Sequence, residues 1–137
     1  SAGVTVSGIA YGQPVNNAGY VGYNISLEDY AAAIADNTSK FYTSYSTYNK
    51  IAPYYSTDCS GFVSYAWGLK NRHTTYTWAS IATKVSDQSI YSLQVGDALN
   101  HSTSHIVLVA DVGYNEEGEV ISATILEQTP VKTKLTT

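Results

Sequence analysis

The sequence predicts an α+β domain, with helices in its N-terminal part packed on a C-terminal antiparallel β-sheet. Three observations carry that expectation. Tyr30, Ile34, Phe41, Tyr45 and Tyr48 recur at near-helical spacing. Ile106 to Ala110 is an unbroken apolar run of largely β-branched character, the pattern of a buried strand. Asn115-Glu116-Glu117-Gly118 is a hairpin turn that sends the chain back along that strand.

Taken in order, residues 1–24 read as irregular to extended, rich in Gly, Asn and Tyr. Ser26 is a candidate N-cap, and Glu28 and Asp29 follow in the first turn, where the helix dipole favours acids. One helix or two then run from 26 to 48, with Asn37-Thr38-Ser39 as the candidate break. Pro53 ends the approach to the next element, and residues 54–58 read as a loop. A helix is expected from Cys59 to Leu69, burying Phe62, Val63, Ala66 and Trp67 and ended by Gly68 or Asn71. Residues 78–85 suggest another short helix. Leu93 to Leu99 reads as a turn entering a strand, Glu119 to Gln128 as the return strand, and Val131 to Leu135 as a last strand after Pro130. The whole chain reads as one domain, with 1–52 as the helical part and 53–137 as the core.

Composition narrows the partners. Of the 137 residues 44% are hydrophobic, which suffices for a buried core. Only 13% are charged, against about a quarter in an average domain, and 13 tyrosines together with many Ser, Thr and Asn take their place. Such a neutral, hydroxyl-rich surface suits glycans and peptides. The net charge of −4 and the absence of any Lys/Arg run argue against nucleic acid and anionic lipid. No apolar stretch approaches the ~18 residues of a membrane span. The single cysteine forms no intramolecular disulfide. No metal or organic cofactor is expected, nor an oligomer.

That cysteine opens a predicted helix. Unpaired N–H groups and the dipole at a helix start favour a thiolate, so Cys59 is a candidate nucleophile. A cysteine nucleophile needs a base, and the base needs a polar partner to orient it. Of the three histidines, His105 opens the apolar strand and would be rigidly held near a sheet end. His73 and His101 lie in polar, loop-like stretches. Glu127 is an acid inside an apolar strand that the hairpin brings beside 105–110, and a neighbouring imidazolium would account for it. Asp111 is the rival partner, but at strand rise it lies roughly 20 Å from His105. His101 and His105 are four residues apart, a metal pair only on a helix, and Ser102-Thr103-Ser104 is a poor helix. Each candidate has a plainer role: Cys59 as a small buried hydrophobe, His105 as a core histidine, Glu127 as an edge-strand surface acid, Asp58 as an N-cap.

Asp58-Cys59-Ser60-Gly61-Phe62-Val63 resembles the segment around the nucleophile of NlpC-type cell-wall cysteine peptidases. Gly96-Asp97-Ala98-Leu99 followed by His105-Ile106-Val107-Leu108-Val109 is similar to that family's histidine segment. Leu126-Glu127-Gln128-Thr129-Pro130 stands at the place of its third polar residue, where a Glu is closer to the related CHAP amidohydrolases. The resemblance spans residues 53–137. It implies a papain-like fold and a secreted or wall-associated bacterial enzyme that hydrolyses amide bonds in peptidoglycan peptides with a Cys59-His105-Glu127 triad. It further implies that Asp58 and Ser60 line the substrate cleft, that Tyr54 or Tyr55 is the cleft tyrosine, and that the Cys59 N–H helps bind the oxyanion. Two other functions fit the same residues. One is acyl transfer by the same triad. The other is a non-catalytic wall- or host-binding module, suggested by the high Tyr content and the lack of the family's Trp-Gly-Gly stretch upstream of the cysteine.

Overall fold

The computed structural model describes residues 10–12, 22–23, 28–29, 32, 35–36, 55–85, 89–130 and 132–137. It is an α+β structure in which one helix packs against a four-stranded antiparallel sheet. A second, smaller sheet is built from β1 (Ala10–Tyr11), β2 (Gly22–Tyr23) and β3 (Tyr55–Thr57). Its central strand is β3, parallel to β1 and antiparallel to β2. Residues 54–58 were expected as a loop, because Tyr-Ser-Thr-Asp carries no apolar alternation. The strand forms because both partners come from far upstream, and local pattern does not register such pairing. In the N-terminal part, Glu28, Asp29, Ala32 and Ala35 have helical backbone. The remainder of the expected 26–48 helical stretch lies outside the described residues.

Helix α1 spans Cys59–Ala66. Asp58 caps it in an extended conformation, its carboxylate accepting the Gly61 N–H at 2.8 Å. The helix stops three residues short of the expected Leu69 because Gly68 adopts a φ of +64°. The Gly68 N–H then donates to the Tyr65 carbonyl and the Leu69 N–H to the Ser64 carbonyl, closing a Schellman cap. Leu69 packs back on the core as that cap requires. A Cβ on Gly68 would meet no atom within 4 Å, so only the left-handed backbone opposes a side chain there. Gly68→Ala is therefore expected to lower stability by about 1 kcal/mol, read as a shifted urea midpoint at unchanged slope.

The buried face of α1 differs from the apolar one expected. Ser60, Gly61, Val63 and Ser64 are buried, Phe62 is half-buried, and Ala66 and Trp67 are exposed. Small residues let the following loop approach the helix backbone. The Ser64 hydroxyl donates to the Ser60 carbonyl at 2.7 Å and accepts the His73 N–H at 3.0 Å. Trp67 lies over the helix end instead. Its ring meets Trp78 edge-on at 4.9 Å, and its Nε1–H donates to the Gly96 carbonyl at 2.9 Å. The helix expected over 78–85 is a single 3₁₀ turn, Trp78–Ser80, and a second such turn covers Ile90–Ser92.

The main sheet has the order β4 (Ala98–His101), β5 (His105–Tyr114), β6 (Val120–Gln128), β7 (Thr133–Thr136). The expected strands are thus present, and the 115–118 turn closes on Gly118 at φ +80°. Pleating sorts β5 into two apolar sides. Ile106 joins Val63 and Trp78 beneath α1, with Cys59, Phe62 and Leu108 against them. Val109 joins Val112 and Val120 on the other side, with Leu93 and Ile125. The α1 side is what fixes the start of β5 against the start of the helix.

Candidate active site

Two elements bring the chemistry together. Cys59 is the first residue of α1, and His105 is the first residue of β5. The cysteine is half-buried and packs against the cluster of Val63, Trp78 and Ile106, the last of which is the residue after His105. No hydrogen bond joins the thiol to the His105 ring, and among the described residues nothing occupies the ring's Nδ1.

The other ring nitrogen is engaged. His105 Nε2 lies 2.8 Å from Glu127 Oε2, with the two side chains 33% and 32% exposed. The register explains the contact. Leu108 faces Leu126 across β5 and β6, which makes His105 and Glu127 diagonal neighbours on one side of the sheet. Asp111, the rival partner, lies past a register shift in β5 and accepts the Val112 N–H at 2.9 Å. His105 is oriented by Glu127 alone of the two.

The thiol itself is not poised as a thiolate. Burial pushes the Cys59 thiol above its ordinary value, with the nearby Asp58 carboxylate adding to the rise. Main-chain N–H groups of Ile106, Ser60 and Cys59 act in the opposite sense. The helix-start effect expected from the sequence is present but outweighed. Desolvation opposes it, and the cap places an anion beside the sulfur. A raised thiol favours the protonated folded state. Its contribution to stability is whole below the ordinary cysteine value of about 8.5 and is lost as pH climbs through the higher folded value. Iodoacetamide is therefore expected to alkylate Cys59 at neutral pH more slowly than it alkylates a free cysteine, with the half-maximal rate displaced to higher pH. A plateau already reached near neutral pH would contradict this.

Asp58 and Ser60, expected to line the cleft, have structural work. Both are buried, and the Ser60 hydroxyl donates to Asp58 Oδ1 at 3.3 Å. Asp58 is also ion-paired with Arg72, whose Nε reaches Oδ1 at 3.4 Å and whose second terminal nitrogen bonds Oδ2. Tyr54 lies outside the described residues, and Tyr55 is the first residue of β3. Two contributors escaped the sequence reading. Arg72 belongs to the stretch Arg72-His73-Thr74-Thr75 after α1, which reads as a solvated loop in preference to a cleft wall. Gln128 is fully buried, and its Nε2 donates to the Thr57 carbonyl at 3.0 Å, tying the end of β6 to the strand that leads into Cys59. An amide next to Glu127 in an apolar strand was the available signal for it.

His101 stands directly opposite His105 at the end of the β4–β5 hairpin. Its Nδ1 lies 2.9 Å from the Ser104 hydroxyl and 3.1 Å from the Thr103 hydroxyl. The described residues contain no group of three or more His, Cys, Asp and Glu side chains placed to share a metal ion. Comparison with family models, with curated proteins and with solved structures finds no match for the chain.

Proposed function

We propose that the chain is a papain-like cysteine hydrolase that cleaves amide bonds in peptidoglycan peptides at a cell wall. The observation that carries the reading is the His105–Glu127 pair at 2.8 Å, set one residue before the Ile106 against which Cys59 packs. The uncharged, hydroxyl-rich composition favours a glycan-linked peptide over nucleic acid or lipid.

The steps follow from the atoms. Glu127 accepts the Nε2–H of His105, which leaves Nδ1 with a free lone pair. The cycle requires a swing of the ring that brings Nδ1 to the Cys59 S–H. Because the resting thiol is protonated, the proton passes to Nδ1 as the sulfur attacks the substrate carbonyl carbon. The Cys59 N–H, at the helix start, is the donor for the developing oxyanion. Nδ1–H then protonates the leaving amine as the C–N bond breaks, giving a thioester. Water, deprotonated by Nδ1, attacks the thioester carbon, and the sulfur recovers the proton. Glu127 stabilises the imidazolium in both halves of the cycle. An amine in place of water would make the same site an acyltransferase.

The raised thiol favours a second reading, a binding module that keeps the fold without the chemistry. Digestion of muropeptides with the purified chain, followed by mass spectrometry of the products, separates the two. New amine and carboxylate ends that vanish on alkylation of Cys59 support hydrolysis. Intact muropeptides, retained by the chain in a pull-down, would leave only the binding module.

A further inference from the structure

We propose that Arg72 is a positioning residue for Cys59: its guanidinium spans the residue before and the residue after the nucleophile, holding both in place and offsetting part of the charge of Asp58. The inference rests on Cys59 being the nucleophile, and its test reads the thiol directly. Arg72 bonds both carboxylate oxygens of Asp58, and its second terminal nitrogen also reaches the Ser60 hydroxyl at 3.4 Å. Ser60 in turn donates to Asp58 Oδ1, so three side chains form a closed ring around the first turn of α1.

The cap alone does not require this arrangement. An N-cap aspartate is already stabilised by the helix N–H groups and the dipole, and Asp58 already holds the Gly61 N–H at 2.8 Å. What the cap creates is an anion next to a sulfur that must pass through an anionic state. The pair is largely desolvated, with side-chain exposures of 17% for Arg72 and 11% for Asp58, so water screens that anion poorly. A bidentate guanidinium offsets part of that charge. The arginine is held there by its neighbour: the His73 N–H bonds the Ser64 hydroxyl in the middle of α1. Among the described residues, Asp58 is the charged group that acts on Cys59, Arg72 pairs with it, and His105 on β5 is held by Glu127 on β6. His73 turns elsewhere, its Nδ1 lying 3.4 Å from the Thr77 hydroxyl. His101 is exposed on the β4–β5 hairpin. Arg72 is the one cation bonded to the segment 58–60 among the described residues.

The test is the rate of Cys59 alkylation by iodoacetamide between about pH 6 and pH 10, followed by intact-mass spectrometry. Arg72→Gln is expected to move the half-maximal rate up by about one pH unit, which is about tenfold slower labelling at neutral pH. Arg72→Lys keeps the cation and is expected to recover most of that loss. The double change Asp58→Asn with Arg72→Gln removes both charges and is expected to label within about threefold of the native chain. Arg72→Gln that lowers the melting temperature but leaves the titration in place would reduce the ring to a structural tie and overturn the proposal. If Arg72→Gln fails to fold, the other two variants decide. Both titrating like the native chain uphold the charge role, and the neutral double variant titrating a unit higher overturns it. Labelling needs no substrate. A chain that shows the shift but cleaves no muropeptide loses the hydrolase reading alone, and a chain that cleaves without the shift loses this inference alone.

Discussion

Cys59→Ser is expected to lower the rate of muropeptide cleavage by about four to six orders of magnitude while leaving the fold in place. The exchange is nearly isosteric, and the packing of Val63 on Ile106 beneath it involves neither the sulfur nor its proton. The chemistry, by contrast, is lost. The sulfur is already uphill of its ordinary ionisation because it is buried and lies near Asp58. An alcohol is a far weaker acid, and among the described residues no hydrogen bond joins residue 59 to the His105 ring to offset the greater cost of ionising serine. The measurement is product formation over long incubation, with near-ultraviolet circular dichroism to show an unchanged fold. A serine variant within tenfold of the native rate would take Cys59 out of the reaction and return it to the role of a small buried side chain.

Glu127→Gln is expected to cost about three to four orders of magnitude in kcat with little change in KM. A carboxylate accepts only, so Glu127 fixes the tautomer in which Nε2 carries the hydrogen and Nδ1 is the base. The Gln amide can donate as well as accept. Donating to Nε2, it would place the hydrogen on Nδ1, the atom that must receive the thiol's proton. It would also leave the imidazolium without a counter-charge. The effect on stability should be small, within about 1 kcal/mol, since the pair is about one-third exposed. Glu127→Asp keeps the charge but shortens the reach, and is expected to fall between the two. A Gln variant with native kcat would show that His105 is oriented by something else.

Much of this was legible in the sequence, for a physical reason. The strand at 105–114, the turn at 115–118 and the return strand are set by neighbours in the chain, and local pattern carries them. The His105–Glu127 pair followed because one hairpin fixes which residues meet. The rest depended on contacts between distant parts of the chain. Strand β3 pairs with Ala10–Tyr11 and Gly22–Tyr23, and nothing in Tyr55-Ser56-Thr57 names those partners. The buried side of α1 was expected to be its apolar side, yet hydroxyls and a glycine fill it because a loop and not a sheet lies against them. Arg72 looked solvated because its partner is a carboxylate 14 residues upstream, at the other end of a helix. Asp58 and Ser60 stood in the motif, but only the placed guanidinium shows that both belong to one ring around the first turn of the helix.

The packing of Cys59 against Ile106 has a consequence for how the chain can be observed. The cysteine belongs to one element and Ile106 to another, and burial of the sulfur depends on that seam. Whenever the helix lifts from the strand, the burial disappears and the thiol reverts to ordinary acidity. Labelling in sub-denaturing urea would therefore count local opening events. The sole cysteine of the chain is a built-in gauge of how often that seam parts, and it needs no engineered probe.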